Sequence, residues 1–237
     1  MDSRIAFHNG RWFICIPTQT TTCQTDNQGR VVSLDPGIRT FQSFYSEEYC
    51  GHIGQGDFGR IQRLARHLDG LISRTSKAKG ASRCRMRKAQ KRLRNKIKDL
   101  VDELHHKTAL FLVTNFDVIL LPSFNTQDMA SKTTRKIPSK SVRSMLTFAH
   151  NRFKKFIENK AFEHGKRVIE VNEAYTSKTV SWTGEMVKNL GGAKVIKSKQ
   201  TGLERDRDLN GARGILLRAL VDAPSLELIK CALASSF

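Results

Sequence analysis

The sequence predicts an α/β domain in which a mixed β-sheet is covered by helices. Three observations predict it. Three short strand-like segments follow one another between residues 31 and 53. Two long stretches with apolar residues at helical spacing come next. Two further strand-like runs, Asp117–Leu121 and Val168–Val171, then alternate with helical patterns up to Val221. At 237 residues the chain suffices for one such domain with a small satellite, and it can bury a core without covalent staples.

The opening segment predicts a hairpin. Arg4–His8 and Arg11–Pro17 flank Asn9-Gly10, a pair that suits a two-residue type I′ turn. Residues 18–29, rich in Thr, Gln and Asn, read as a loop. Val31–Asp35, Thr40–Tyr45 and Tyr49–Ile53 predict an antiparallel meander, with Gly37 in its first turn. The period then changes to helical. Ile61, Leu64, Leu68, Leu71 and Ile72 share one face, and Leu93, Ile97, Leu100, Val101 and Leu104 repeat it after a Ser/Lys/Gly break at 76–82. Asp117–Leu121 is an apolar run ended by Pro122, the pattern of a strand buried on both faces. Residues 123–140 are polar and basic and read as an exposed loop. Ser141–Gly165 predicts one long amphipathic helix with Met145, Phe148, Phe153, Phe156 and Ile157 inward and Gly165 as its stop. Val168–Val171 is a strand, 176–205 has no clear period, and Asp208–Val221 is a last helix. This order, β-β-β-α-β-α-β-α, is that of the RNase H-like fold.

Charge narrows the function. Lys and Arg number 41 against 22 Asp and Glu, a net charge of +19. Such an excess seeks a polyanion, and nucleic acid is the first candidate. No apolar run approaches the ~20 residues of a membrane span, so no membrane partner is expected. Met1–Asn9 carries no secretory apolar region. The five cysteines are scattered without a C-x-x-C pair, which fits a reducing, intracellular compartment. Between Arg60 and Lys98 stand 15 Lys or Arg and a single acidic residue, Asp69. Interspersed signs would merely keep a helix soluble. This one-sided run suits a phosphate backbone, and Arg83, Arg85, Arg87, Lys88, Lys91, Arg92, Arg94, Lys96 and Lys98 are its candidate contacts. The run contains no aromatic residues, so base stacking is not expected there.

Carboxylates at strand and helix ends supply candidate chemistry. Asp35 closes the run Val-Val-Ser-Leu-Asp, Glu173 follows the strand at 168–171, and Asp206 and Asp208 precede the last helix. Each has an ordinary explanation, as a turn residue, a strand end or a helix N-cap. Together, Asp35, Glu173 and Asp208 at one sheet edge could hold two Mg2+ (or Mn2+) ions about 4 Å apart, which is phosphodiester-cleaving chemistry. Asp206 is then auxiliary or a cap. Glu170, three residues before Glu173, is the rival for the middle position.

Three segments carry a family resemblance. Ser33-Leu34-Asp35-Pro36-Gly37-Ile38-Arg39-Thr40-Phe41 resembles the first RuvC motif of the TnpB and Fanzor proteins, transposon-encoded RNA-guided DNA nucleases related to type V CRISPR effectors. Tyr175-Thr176-Ser177-Lys178-Thr179 resembles the segment leading into their zinc-binding knuckle, and Arg205–Arg213 resembles their third RuvC motif. Ile119–Phe124 and the Thr-Ser-Lys-Thr run are most similar to the Fanzor branch.

The resemblance implies an RNase H-like (RuvC) domain formed by residues 31–175 and 203–225, with a long basic helical segment at 57–116. It implies a knuckle insertion at 176–202, a remnant hairpin and linker at 1–30, and a tail at 226–237. Asp35 and Asp208 match the first and last catalytic aspartates. Bacterial relatives place a glutamate where Pro122 stands here, and Glu173 matches the alternative glutamate of Fanzor-like members. Val180, Thr183, Ser198 and Thr201 stand at the four knuckle ligand positions, and none is a zinc ligand, so zinc is expected to be lost and 176–202 to be loose or held by something else. Family members have a long N-terminal portion, and the first motif here starts at Ser33, so the chain is expected to be truncated. The expected partners are DNA and a guide RNA, in the nucleus if the host is eukaryotic. The expected activity is Mg2+-dependent DNA hydrolysis, and the alternative is a catalytically compromised nucleic-acid-binding remnant.

Overall fold

The computed structural model describes residues 2–19, 29–123, 139–172, 176, 178–187, 191 and 193–222. The loop expected at 123–140, the tail at 226–237 and Glu173 fall largely or wholly outside them. Alternation along the first core strand sets the frame. Strand β3 (Val31–Pro36) sends Val32 and Leu34 to one face and Val31, Ser33 and Asp35 to the other. It pairs antiparallel with β4 (Gln42–Tyr45), which pairs antiparallel with β5 (Cys50–Ile53), so the meander forms as expected. On its other side β3 runs parallel to β6 (Val118–Pro122), and β6 runs parallel to β7 (Arg167–Val171). The five-stranded order is β5-β4-β3-β6-β7, a mixed RNase H-like sheet.

Helices cover both faces. α1 (Gln55–Lys77) and α2 (Gly80–Asn115) form an antiparallel pair, and the break between them shrinks to Ala78 and Lys79. Val101, Leu104, Leu112 and Val113 of α2 pack with Val32, Leu34 and Ile119 of the sheet. The expected long helix at 141–165 is instead two, α3 (Ser139–Phe148) and α4 (His150–Glu163). Ala149 between them is left-handed, with φ 51°. Two tertiary bonds hold this break. His105 Nε2 donates to the Phe148 carbonyl at 2.8 Å, and His150 Nε2 donates to the Gly37 carbonyl at 3.2 Å. Phe153, Ile157 and Ala161 of α4 complete the first face of the core.

The opposite face is covered by α5 (Arg207–Val221), through Ile215, Leu216 and Ala219 against Val31, Val118, Leu120 and Val171. At the amino-terminal edge of the parallel strands, Lys166 Nζ bonds Asp117 Oδ1 at 2.5 Å, and both side chains are under a tenth exposed. Asp117 Oδ2 also accepts from Arg30 N at 3.0 Å, so this carboxylate locks strand starts and lies at the edge away from Asp35.

Two small hairpins lie outside the five-stranded sheet. β1 (Arg4–His8) and β2 (Arg11–Cys15) pair around Asn9-Gly10, both with positive φ, as the turn chemistry requires. β8 (Val195–Lys197) and β9 (Glu204–Asp206) form the second, leading directly into α5.

Candidate metal site and nucleic-acid surface

The carboxyl-terminal sheet edge is built by register. Asp35 pairs with Ser43, and Ser43 pairs with His52. Two residues beyond the Ser33–Leu120 pair on both parallel strands, Pro122 stands level with Asp35. One polar row therefore crosses three strands on the α5 side. Ser43 Oγ and His52 Nδ1 are 3.0 Å apart, and His52 Nε2 lies 3.7 Å from Asp206 Oδ1.

Helix α5 comes down on this row because small and polar residues line its first turns. The fully buried Ser33 hydroxyl donates to the Ala212 carbonyl at 2.7 Å. One residue earlier, a Cβ added to Gly211 would fall 2.4 Å from Asp35 Oδ2. Only glycine lets the Asp35 carboxylate lie against the helix there. Asp208 sits one turn before Gly211, at the same end of the helix. Asp206 caps that end: its Oδ1 accepts from Asp208 N at 2.9 Å and Leu209 N at 3.1 Å. The Asp208 tip reaches solvent, yet its pKa is raised, first by desolvation and then by the Asp206 charge, against the attraction of His52, Arg207 and Arg39.

Asp35 thus lies against α5 at Gly211, one helical turn from Asp208, whose end of the helix Asp206 caps. Glu170 is not part of this group. It lies within β7 on the opposite face, where it pairs with Lys154 at 2.5 Å. Glu173 lies outside the described residues, and among the described residues no three His, Cys, Asp or Glu side chains cluster as a metal site. The carboxylates of Asp35 and Asp208 are hard oxygen donors, the chemistry that a divalent cation such as Mg2+ takes.

The knuckle positions do not fit zinc. Val180 is apolar and fully buried, and the hydroxyls of Thr183 and Ser198 both donate to Glu185 Oε2. Glu185 is the single acidic residue between Glu173 and Glu204, a signal the sequence carries but that only the geometry explains.

The basic run forms the amino-terminal half of α2. Arg83, Arg85, Arg87, Lys88, Lys91, Arg92, Arg94 and Lys96 are exposed, whereas Lys98 is half-buried and bonds Asp102 at 2.6 Å. The structure adds what the run lacks. The β1–β2 hairpin is docked along the 91-95-99 stripe of α2: Asn95 Nδ2 donates to Asn9 O at 3.2 Å, and Arg11 grips Asp99 bidentately at 2.8 and 2.9 Å. Lys91 Nζ lies 5.7 Å from the Phe7 ring, and Phe7 and Trp12 pair at 4.7 Å. Trp12 is 72% exposed and Phe7 57%. Aromatic rings therefore do stand beside the cations, supplied from a distant part of the sequence.

Comparison with known proteins follows the same lines. The family model described as Cas12f1-like, TNB domain, matches residues 150–215. A TnpB-like protein of Acanthamoeba polyphaga mimivirus is 27% identical over 215 residues, which are 87% of this chain and 40% of that protein. A putative transposase of Paramecium bursaria Chlorella virus 1 is 29% identical over 228 residues, 95% of this chain and 51% of that one. A cryo-EM structure of a CRISPR-Cas12f ternary complex shares the fold, with a TM-score of 0.57 at 14% identity over 86% of this chain and 41% of its own. The chain spans about half the length of these curated relatives or less.

Proposed function

We propose, from the similarity to TnpB-like proteins and the match to the Cas12f1-like TNB domain, that the sheet edge at Asp35 and Asp208 is a divalent-metal site for hydrolysis of DNA phosphodiesters. The observation that carries this is the placement of Asp35 Oδ2 against Gly211, one helical turn from Asp208. Asp35 and Asp208 bind the cations, and Glu173 is proposed as the third ligand. Two Mg2+ ions held here would supply Lewis acidity toward the phosphoryl oxygens and lower the pKa of the attacking water. Asp206 fixes the first turn of α5 through its cap and so orients Asp208. His52, from the far strand of the meander, stands 3.7 Å from Asp206.

The basic half of α2 and the Phe7–Trp12 face of the hairpin are proposed as the nucleic-acid surface. Cations neutralise phosphates, and the exposed rings offer planes for bases of a single strand. DNA is the proposed substrate, and a guide RNA the proposed second partner.

Incubation of the full chain with single-stranded and duplex DNA, with Mg2+ or Mn2+ and with EDTA, tests the nuclease assignment. Cleavage that needs the metal and vanishes in Asp35→Asn and Asp208→Asn is expected. DNA bound but uncut in every metal condition would leave a binding remnant. One observation favours that second assignment: the residue level with Asp35 on the neighbouring parallel strand is Pro122, whose side chain cannot ligate a metal.

A further inference from the structure

Two turns face each other in the segment between β7 and α5. In the first, Thr183 N and Gly184 N both donate to the Val180 carbonyl, at 3.2 and 2.8 Å, and Gly184 takes φ 77°. In the second, Gly202 N donates to the Ser198 carbonyl at 3.1 Å, Thr201 N donates to Ser198 Oγ at 3.1 Å, and Gly202 takes φ 70°. The turns have the same plan: two positions three apart, followed by a left-handed glycine. Paired turns with that spacing are a shape that four metal-binding side chains ordinarily hold together. Here the four positions carry Val180, Thr183, Ser198 and Thr201, which leaves the pairing of the turns without a metal to explain it.

Glu185 fills that gap. Its Oε2 accepts from Thr183 Oγ1 at 3.0 Å in the first turn and from Ser198 Oγ at 2.5 Å in the second. Its Oε1 accepts from Gln200 N at 3.1 Å, again in the second turn. One carboxylate therefore bonds both turns, through one former ligand position of each. We infer that Glu185 is a metal-free brace, a carboxylate that cross-links the two turns in place of zinc.

The brace bears on the rest of the domain. Asn210, 3% exposed in α5, accepts from Ser181 N at 2.8 Å and donates to Thr179 O at 2.9 Å. Arg213 Nη1 donates to Ser181 O at 2.5 Å. The first turn is thus moored to α5 beside Gly211, and Glu185 acts on that helix only through the turn. It is a positioning residue. Hydrogen bonding to the ionised carboxylate lowers the Glu185 pKa, with Ser198 the largest contributor and Thr183 adding to it. The brace is independent of whether the sheet edge cleaves DNA.

The test uses the full chain without added nucleic acid. Metal analysis of the purified protein should find no stoichiometric zinc, and EDTA should leave its melting temperature unchanged. Glu185→Ala should raise amide hydrogen exchange across residues 178–187 and 193–206 by about tenfold to a hundredfold, the loss of a charge-assisted bond set. Exchange in β3 and β6 should not change. A second variant keeps the proposal falsifiable if Glu185→Ala does not fold. Val180→Cys, Thr183→Cys, Ser198→Cys and Thr201→Cys together should install one zinc, and Glu185→Ala should then cost little in exchange or folding. One tightly bound zinc in the natural sequence, unchanged exchange in Glu185→Ala, or an equal cost of Glu185→Ala in the zinc-loaded four-cysteine protein would each overturn the brace.

Discussion

The Asp35 carboxylate occupies the space that a side chain at Gly211 would need, with Oδ2 2.4 Å from the Cβ that any other residue would carry. A helix-interior glycine ordinarily costs about 1 kcal/mol relative to alanine. Its presence in the second turn of α5, between buried Asn210 and Ala212, is explained by this approach. Gly211→Ala should therefore leave the metal-free protein as stable as before or slightly more so. It should also displace Asp35 and abolish both metal-dependent cleavage and the stabilisation by Mg2+. Thermal melts with and without Mg2+ check this. A gain from Mg2+ equal to that of the natural protein would show that the closeness of Asp35 to Gly211 does not matter to the site.

Asp208 should stabilise the apo-protein when neutralised. Its folded pKa is raised, by desolvation and by Asp206, so the native state holds its proton more tightly than the unfolded chain. Above the raised pKa the ionised carboxylate costs stability, and the cost disappears as pH falls toward the ordinary carboxylate value. Asp208→Asn should raise the melting temperature at pH 7 in EDTA and lose the further rise that a bound cation gives. Bound metal at a hundred times its Kd would contribute about 2.7 kcal/mol to the natural protein. A lower melting temperature for Asp208→Asn in EDTA would mean that the charge is satisfied by neighbours other than a cation.

The α2 surface should bind nucleic acid with a steep salt dependence. Reversing Arg85, Arg87, Lys91 and Arg94 to Glu should weaken DNA binding by orders of magnitude and flatten the salt slope by about 0.9 for each phosphate no longer neutralised. Trp12→Ala should weaken binding to oligo(dT) by fivefold or more, since one stacked base is worth about 1–3 kcal/mol. It should leave binding to heparin, which has charge but no bases, unchanged. Equal effects on both ligands would assign the hairpin a structural role only.

Two buried histidines predict acid sensitivity. Burial lowers His105 and His150 to about 4, from the ordinary histidine value of 6.5. The unfolded chain takes up these protons first, so stability is complete above pH 6.5 and is lost as pH falls from there toward 4. Urea melts across that range should show the decline, and His150→Gln should make it shallower. A flat stability between pH 7 and 4.5 would contradict it.

The meander, the strand at 118–122, the basic helix pair and α5 are legible in the chain, because they follow from period and turn chemistry, which are local. The break at Ala149 is not, because His105 and His150 make it through bonds to residues far away in sequence. Asp35 and Asp208 are legible from their places at a strand end and a helix start. Gly211 is present in the same motif, but its role exists only once α5 lies on β3. Glu185 is legible as a lone acid, and its function requires the two turns to be folded together. The hairpin reaches α2 across 86 residues of sequence, which no local pattern encodes.

Anomalous diffraction from crystals soaked in Mn2+ tests most directly whether Asp35 and Asp208 hold a divalent cation. A Mn2+ peak is expected between the two carboxylates at the carboxyl-terminal edge of β3, absent in Asp35→Asn crystals. No peak at that edge, with both side chains ordered and Mn2+ in excess, would contradict the assignment.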